Sequence, residues 1–280
     1  MKTIDKDVLA RYNAGIEKNR LHTDFGLIEF QRTKEILRQT LPPAPAVIYD
    51  IGGGYGEYSF WLSSLGYDVY LYDLSETHIE MAAELSRNYP EHPLKAASVA
   101  DARSINRPDE SADAILFFGP MYHIVEYEER QLALREALRL LKPGGLLFTA
   151  AITRYATTLA YLTMYGVKNN LLDEPEFFEM LKHEIATGHH IKNPASRYDG
   201  MGRSRFHLPD ELKDEIEAAG FCDTDVRGVI GPAWLVSNLD DVWKDDFKRE
   251  NIMRIVRLLE KEESIMGLST HLLTISRKGE

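Results

Sequence analysis

The sequence predicts an α/β fold in which helices pack on both faces of a doubly wound, mostly parallel sheet. From Val47 onward, short apolar runs alternate with amphipathic stretches, which is typical of βα units. A glycine-rich turn follows the first of these apolar runs, immediately before a helix. The 280 residues with 44% hydrophobic content suffice for a full core, either as one elaborated domain or as a domain with a cap.

The first half of the chain alternates between predicted strands and helices. Helical spacing from about Asp5 to Leu41 predicts an N-terminal arm, which ends at Pro42-Pro43-Ala44-Pro45 because proline cannot continue a helix. Lys142-Pro143-Gly144-Gly145 is predicted to turn the chain into a fifth strand. The five strands are predicted near 47–51, 68–72, 94–98, 112–118 and 146–152, with helices near 58–65, 76–88 and 128–141.

This alternation stops between about Thr153 and His207, where two helices and a loop are predicted and no strand. An unstructured stretch of that length is uncommon in a compact domain, so we expect a cap over the carboxyl edge of the sheet. A helix from about 208, a strand near 221–230, a surface helix near 240–263 and a last strand near 271–276 follow. The predicted divisions are an arm at 1–45, a core at 46–152 and 208–280, and a cap at 153–207.

Composition argues against several classes of protein. The net charge of −11 disfavours nucleic acids as partners, because polyphosphates are bound mainly through Lys and Arg. The single cysteine, Cys222, excludes intramolecular disulfides and a cysteine-based metal site, and we predict no metal site. No apolar run approaches the roughly 20 residues that span a bilayer, and the N-terminus lacks the apolar core of a secretory signal. We therefore expect a cytoplasmic protein without a membrane partner; the oligomeric state stays open.

The segment Asp50-Ile51-Gly52-Gly53-Gly54-Tyr55-Gly56 joins the first strand to a helix. Small residues in a tight turn let the backbone approach a ligand, and the helix N-terminus supplies free N–H groups. The dinucleotide fingerprint would require glycine at 57 or at 59, where Glu57 and Ser59 stand. A pyrophosphate would also be repelled by Glu57. The spacing therefore favours a ligand without phosphates beside this turn.

Acidic residues follow the second and third strands at the same predicted edge of the sheet. Asp73 stands where a carboxylate can accept both hydroxyls of a ribose, and Asp101 where one can accept from an exocyclic adenine amine. The alternative is that both simply cap helices. Because Ser75 is itself a good N-cap, Asp73 is expected to be free for the ribose.

These motifs, with Asp113–Phe118 leading into Gly119-Pro120-Met121-Tyr122-His123 and with Leu141–Gly145, resemble the class I S-adenosylmethionine-dependent methyltransferases. They look most similar to the small-molecule subgroup that includes quinone-biosynthesis enzymes. The resemblance covers about residues 47–151 and the last two strands. It implies a Rossmann-like sheet of seven strands with an antiparallel last strand, and S-adenosylmethionine as the cofactor.

The resemblance also implies roles for single residues. The glycine-rich turn would meet the methionine part, the first acid the ribose and the second the adenine, while the end of the fourth strand would face the methyl group. A helical arm can fold over the cofactor, where an arginine pairs with the methionine carboxylate; solvated charges on an ordinary helix are the alternative. The expected cofactor residues are Asp50, Gly52, Gly54, Asp73, Leu74, Asp101, Ala102, Phe118, Gly119, Tyr12 and Arg20.

Two histidines are the candidate catalytic residues. Methyl transfer from a sulfonium is an in-line displacement, which requires alignment and exclusion of water but neither a metal nor a covalent intermediate. A hydroxyl or amine acceptor would profit from a base with a pKa near neutrality. His123 lies just past the fourth strand, and His207 lies beside Phe206 at the end of the cap. For His123 a structural hydrogen bond is an equal alternative.

The predicted function is methyl transfer to a small molecule, with an oxygen, nitrogen or carbon atom as acceptor. Phe118-Gly119-Pro120-Met121 differs from the Asn/Asp-Pro-Pro-Tyr/Phe motif of enzymes that methylate amino groups of nucleic-acid bases or of protein glutamine. Two alternatives remain: a regulatory protein that binds adenosylmethionine without catalysis, and, disfavoured by the glycine spacing, an NAD-dependent oxidoreductase.

Overall fold

The computed structural model describes residues 20–88, 90–165, 171–198 and 201–280. Their central feature is a seven-stranded sheet, as the sequence predicts. In chain order its strands are β1 (Val47–Ile51), β2 (Asp68–Asp73), β3 (Ala96–Val99), β4 (Ala112–Phe117), β5 (Leu141–Ile152), β8 (Phe221–Gly228) and β9 (His271–Lys278). A separate pair, β6 (His189–His190) and β7 (Ser204–Arg205), lies between β5 and β8 in the chain.

The strand order across the sheet is β3-β2-β1-β4-β5-β9-β8. The first five strands pair in parallel, and β9 is antiparallel to both of its neighbours, which confirms the expected mixed sheet with an antiparallel last strand. The chain leaves β1 toward one edge and returns to β4 on its other side. A crevice therefore opens between the carboxyl ends of β1 and β4, where ligands bind in sheets of this kind.

Helices cover both faces of the sheet, and a buried apolar cluster lies beneath each layer. On β1, successive side chains point to opposite faces of the sheet. Ile48 accordingly packs into one cluster, and Tyr49 and Ile51 pack into the other. The helices are α1 (Gly26–Thr40), α2 (Glu57–Ser64), α3 (Glu76–Asn88), α4 (Pro120–His123), α5 (Tyr127–Leu140), α6 (Ala156–Ala160), α7 (Pro175–Thr187), α8 (Pro209–Ala218), α9 (Leu239–Trp243) and α10 (Asp246–Leu259).

Short helical turns complete the secondary structure of the described residues. They are 3₁₀ turns at Arg20–His22, Leu171–Asp173, Gly231–Leu235 and Met266–Leu268, and a π-helical turn at Tyr161–Tyr165. The helix predicted near 240–263 is in fact two, because Asp245 begins α10 by accepting hydrogen bonds from the backbone N–H groups of Phe247 and Lys248.

The segment predicted as a cap contains the two-stranded β6–β7 ladder, so the expectation of no strand there was wrong. It also has an apolar cluster of its own, in which Tyr161, Phe177 and Met180 pack together. Both ends of the segment meet, since Thr153 and His207 form an isolated parallel bridge at the end of β5. Within the described residues, no helix combines the length and apolar content required to cross a membrane.

Candidate functional site

A cavity of about 550 Å³ opens at the carboxyl ends of β1, β2 and β4, at the crevice that the strand order predicts. Its volume falls within the roughly 300–1,000 Å³ typical of small-molecule sites. It is lined by eleven of the residues expected to act there: Arg20, Asp50, Gly52, Gly54, Asp73, Leu74, Asp101, Ala102, Phe118, Gly119 and His123. Chain segments far apart in sequence thus converge on one site.

The glycine-rich turn lies tightly between the ends of β1 and β4. Gly52 has a φ of +78°, and a Cβ atom added there would lie 2.8 Å from Cδ of Pro120. A Cβ atom at Gly53 would lie 2.4 Å from Cγ of Asp50. A side chain at Gly52 would therefore push the turn away from the segment that follows β4, and one at Gly53 would collide with Asp50 beneath the turn.

Asp50 lies beneath this turn and is almost completely buried. Its Oδ2 atom accepts a hydrogen bond of 2.7 Å from the Ser59 hydroxyl. Its Oδ1 atom has no hydrogen-bond partner among the described residues. Burial raises the pKa of Asp50 to about 7, the Ser59 hydrogen bond opposes the rise, and the nearby Asp73 carboxylate adds to it. The site thus contains a buried carboxyl group that titrates near neutrality.

Asp73, the last residue of β2, is held by three donors. Gly54 N donates to Oδ2 at 2.8 Å, Ser75 N donates to Oδ1 at 2.9 Å, and His78 Nδ1 lies 3.2 Å from Oδ1. Ser75 does cap α3, since its hydroxyl accepts from His78 N at 3.2 Å. Capping by Ser75 is as expected, and the Asp73 carboxylate is in addition oriented by the glycine-rich turn and by the start of α3; its role in binding a ribose stays a prediction.

Asp101 is bound by Arg103 through both of its oxygens. The backbone N and the Nε of Arg103 each donate to Oδ1 at 2.9 Å, and Nη2 donates to Oδ2. Burial raises the pKa of Asp101, but the Arg103 contacts outweigh it, so the net shift is downward. Nη1 of Arg103 also reaches Glu129 at 2.7 Å. A ligand amine at Asp101 therefore meets a carboxylate that a guanidinium already occupies.

The end of β4 supplies an aromatic wall. The ring of Phe118 lies 5.1 Å from that of Tyr58, centroid to centroid, and the carbonyl of Phe118 accepts a 2.7 Å hydrogen bond from the Tyr122 hydroxyl. The ring of His123 packs edge-on against Tyr122 at 4.4 Å. Burial lowers the pKa of His123 to about 3, so its imidazole is neutral at pH 7 and far from the near-neutral pKa expected of a general base.

His207, the other candidate catalytic histidine, does not line the cavity. Its side chain is fully buried, and its Nε2 atom lies 3.3 Å from Oε2 of Glu215 on α8. Burial lowers the pKa of His207, and the Glu215 hydrogen bond opposes that shift. The structure thus places His207 in a buried polar network at the base of the cap, outside hydrogen-bonding reach of a ligand in the cavity.

Arg20 lines the cavity from the N-terminal side. Its Nη1 and Nη2 atoms donate to the two carboxylate oxygens of Glu29 on α1, at 2.7 and 3.1 Å. Burial raises the pKa of Glu29, but Arg20 and then His271 lower it more, so the carboxylate stays ionised. Tyr12 lies outside the described residues.

The cavity has residues that the sequence did not single out. His78 and Arg103 follow Asp73 and Asp101 by five and two positions, so a search for local partners of each acid would have found them. Glu129 and Arg203 come from distant segments and carry no local signal. Several large side chains of segment 153–207 do not line the cavity. Tyr161, Phe177 and Met180 lie in the apolar cluster of that segment, whereas Tyr155 and Phe178 are exposed.

These features fit an adenosyl ligand. The cavity has the required size, its turn permits close backbone approach, and a carboxylate stands at the end of β2 beside the first turn of α3. The partnerless Oδ1 atom of Asp50 marks a buried acceptor beneath the turn, among the described residues. Among the described residues there is also no group of three or more side chains of the types that hold a metal ion.

Comparisons with known proteins agree with this site. A family model described as a methyltransferase domain matches residues 49–149. A ubiquinone/menaquinone biosynthesis C-methyltransferase of Chromobacterium violaceum is 28% identical over 191 residues, which cover 66% of this chain and 70% of that protein.

Two solved structures share the fold. A methyltransferase of Methanosarcina mazei, described as dependent on S-adenosylmethionine, is 20% identical with a TM-score of 0.56 and covers 87% of this chain and 97% of its own. An N-methyltransferase of Haemonchus contortus, bound to phosphomonomethylethanolamine and S-adenosylhomocysteine, is 16% identical with a TM-score of 0.54 and covers 89% of this chain and 52% of its own. At these identities the likeness concerns the fold.

Proposed function

We propose that the chain is a class I methyltransferase that depends on S-adenosylmethionine, that its cavity binds this cofactor and that the methyl acceptor is a small molecule. The observation that carries the proposal is the convergence of the glycine-rich turn, Asp73, Asp101 and the end of β4 on one cavity. The bound cofactor would supply a methyl group on a positively charged sulfur. The chain's own residues bind the cofactor, orient the acceptor and exclude water.

Asp73 is proposed to hold the ribose. Its carboxylate is oriented by Gly54 and Ser75 before a ligand arrives, so little reorganisation is required on binding. Each of its oxygens has two acceptor positions, and Oδ2 receives only one of the contacts described above. Leu74, the next residue in the cavity wall, supplies apolar surface beside it.

The remaining cofactor contacts follow from position in the cavity. The turn at Gly52–Gly54 and Asp50 would face the methionine part, and the Asp101–Ala102 segment would face the adenine. Arg20 is proposed to attract the methionine carboxylate, with Glu29 fixing the direction of the guanidinium fork. Phe118 and Gly119 would border the methyl group at the end of β4.

His123 is proposed to shape the pocket for the acceptor, and the mechanism requires no proton transfer to it. A group whose pKa is about 3 is a weak base at pH 7, so proton abstraction by His123 would contribute little. The acceptor atom must then enter with a lone pair or an anion already available. Catalysis rests on alignment of that atom with the methyl group and on exclusion of water.

A small acceptor fits the charge of the protein better than a nucleic acid does. The net charge is −11, and an acidic protein attracts a phosphate backbone weakly. The segment 153–207 is proposed as the lid over the acceptor, since it supplies Arg203 to the rim of the cavity.

Calorimetry tests the cofactor proposal. S-adenosylmethionine and S-adenosylhomocysteine should bind to the wild-type chain, and NAD should not. D73N should bind both more weakly, whereas D113N should bind them as the wild type does. Asp113 is the matched control because its carboxylate bonds Val47 N and Lys142 at the opposite end of the sheet. Binding of NAD without binding of either sulfur ligand would contradict the proposal.

The methyl-transfer step is tested with S-adenosylmethionine labelled in the methyl group. Label should pass from the cofactor to a member of a panel of small phenols, amines, thiols and enolisable carbonyl compounds. Transfer to a nucleic acid or protein, with none to any member of the panel, would contradict the proposed acceptor class.

A further inference from the structure

Arg130, on α5, is a buried arginine directly behind the cavity wall, with only 3% of its surface exposed. Its Nη1 atom donates to two consecutive carbonyls, those of Ile124 at 2.9 Å and Val125 at 2.6 Å. Its Nε and Nη2 atoms donate to the two carboxylate oxygens of Glu215, at 2.5 and 3.0 Å. One guanidinium thus joins the backbone between α4 and α5 to helix α8.

The two carbonyls belong to residues that line the cavity, since Ile124 and Val125 are both in its wall. Glu129, four residues beyond Val125, accepts a hydrogen bond from Arg103, which in turn holds Asp101. Arg130 therefore fixes a stretch of cavity wall that Glu129 and Arg103 link to Asp101, although Arg130 itself does not line the cavity.

Glu215 connects this wall to the base of the cap. Its Oε2 atom lies 3.3 Å from Nε2 of His207, and its backbone carbonyl accepts from Gln131 at 2.7 Å. His207 in turn bonds through its backbone to Ile152 and Arg154 at the end of β5. Burial raises the pKa of Glu215, but the His207 and Arg130 contacts outweigh it, so the glutamate stays ionised opposite Arg130.

We propose that Arg130 and Glu215 form a positioning pair that fixes the Ile124–Val125 wall against the base of the bound nucleoside and thereby contributes to selection of adenine. This inference rests on the proposed cofactor site. The guanidinium of Arg130 is buried and bonded to a carboxylate and to two carbonyls. Because it is planar and its N–H groups point in fixed directions, these bonds hold it in one orientation. Without it, the two carbonyls lose their shared donor and the wall is free to shift.

A second buried pair provides the control. Arg32 on α1 donates through Nε and Nη2 to the two oxygens of Glu260, at 2.6 and 2.9 Å, and both residues are as buried as Arg130 and Glu215. This pair holds α1 against the segment after α10, and neither residue lines the cavity. It matches the proposed positioning pair in chemistry and burial but lacks the bonds to cavity-wall carbonyls.

The experiment compares R130M/E215M with R32M/E260M. Removing both charges avoids an uncompensated buried ion, so each double variant should fold. Calorimetry would measure binding of S-adenosylhomocysteine and of S-inosylhomocysteine, in which hypoxanthine replaces adenine. In R130M/E215M, affinity for S-adenosylhomocysteine should fall about tenfold, while affinity for the inosyl compound should fall less. The preference for adenine over hypoxanthine therefore becomes smaller. The R32M/E260M variant should keep both affinities.

If the pair has a purely structural role, its loss should weaken binding of both ligands by the same factor and leave the ratio of their affinities unchanged. That result would overturn the proposal, and so would two unchanged affinities. If R130M/E215M does not fold, R130K replaces it, because lysine keeps the charge but lacks the planar fork. Narrowed discrimination in R130K supports the pair, and wild-type discrimination overturns it. Failure of the wild type to bind S-adenosylhomocysteine would instead refute the proposed cofactor site.

Discussion

Asp73 and Asp101 stand at the ends of neighbouring strands, but the structure holds their carboxylates in opposite ways. Asp73 is oriented by backbone N–H groups of Gly54 and Ser75 and by His78. Asp101 is bound at both oxygens by the Arg103 guanidinium. Backbone N–H groups orient a carboxylate without cancelling its charge, whereas a guanidinium cancels it. Equivalent positions in the sheet therefore differ in what they offer a ligand.

Asp50 extends the comparison to a carboxyl group with one hydrogen-bond donor. Its replacement should give the largest change in free energy of the variants considered. Its pKa of about 7 in the fold, against 3.8 ordinarily, means that the folded state holds a proton that the unfolded state releases. Its contribution to stability should therefore be full below pH 3.8 and be lost as the pH rises toward 7. Relative to D50N, the wild type should lose about 3 kcal/mol of unfolding free energy between pH 4.5 and pH 8.

Urea titrations of the wild type and D50N at the two pH values would measure this difference. The other titrating groups are common to both proteins, so their contributions cancel. If the difference in unfolding free energy between the wild type and D50N stays constant with pH, Asp50 is ionised in the fold at pH 4.5. The idea that the hydrogen-bond donors around each of the three carboxyl groups decide its charge would then fail.

Replacement of Asp73 by alanine tests the carboxylate that backbone N–H groups orient. D73A should weaken S-adenosylhomocysteine binding by about 1.5–3 kcal/mol, because a charged hydrogen-bond acceptor is lost. Calorimetry at constant pH would measure the change, with the D113N variant as the control for removal of a carboxylate elsewhere. Wild-type affinity in D73A would remove the ribose assignment.

Replacement of Asp101 should have a smaller effect, because Arg103 already occupies its oxygens. D101A should weaken S-adenosylhomocysteine binding by about threefold, close to the lower end for a single hydrogen bond. In an R103A background the same change should cost about tenfold, since the carboxylate is then available to the ligand. A double-mutant cycle would measure this coupling; equal costs in both backgrounds would show that Arg103 does not compete.

Replacement of His78 should have the smallest effect of the four replacements. H78Q keeps most of the side-chain volume, and Asp73 retains its bonds from Gly54 and Ser75. We expect affinity for S-adenosylhomocysteine to fall by only about twofold. A loss as large as that in D73A would mean that the imidazole, and not the backbone, orients the carboxylate.

The sheet was predictable because its signals are local. β1 and α3 have the predicted bounds, since an apolar run ending at Gly52 and an amphipathic run beginning after Ser75 each depend on adjacent residues. The β6–β7 ladder was missed because two residues per strand, His189–His190 and Ser204–Arg205, are too few to show an alternating pattern.

The site was predictable at strand ends and less so elsewhere. Residues that follow strands of one parallel sheet must share an edge, and Asp50, Asp73 and Asp101 do line one cavity. Which donors occupy each carboxylate depends on side-chain conformations, so the Arg103 contact was not foreseen. His207 was favoured for its neighbour Phe206, yet it is buried against Glu215 and does not line the cavity.

The bridge between Thr153 and His207 has a consequence for how this scaffold can change. The excursion between them leaves and rejoins the sheet at one point, so its length adds only a slowly growing loop-closure entropy. A longer, shorter or foreign segment can be joined at these two residues while the strands and the glycine-rich turn stay as they are. The segment proposed as the lid can thus be exchanged as a unit, and the residues proposed to bind the methyl donor need not change with it.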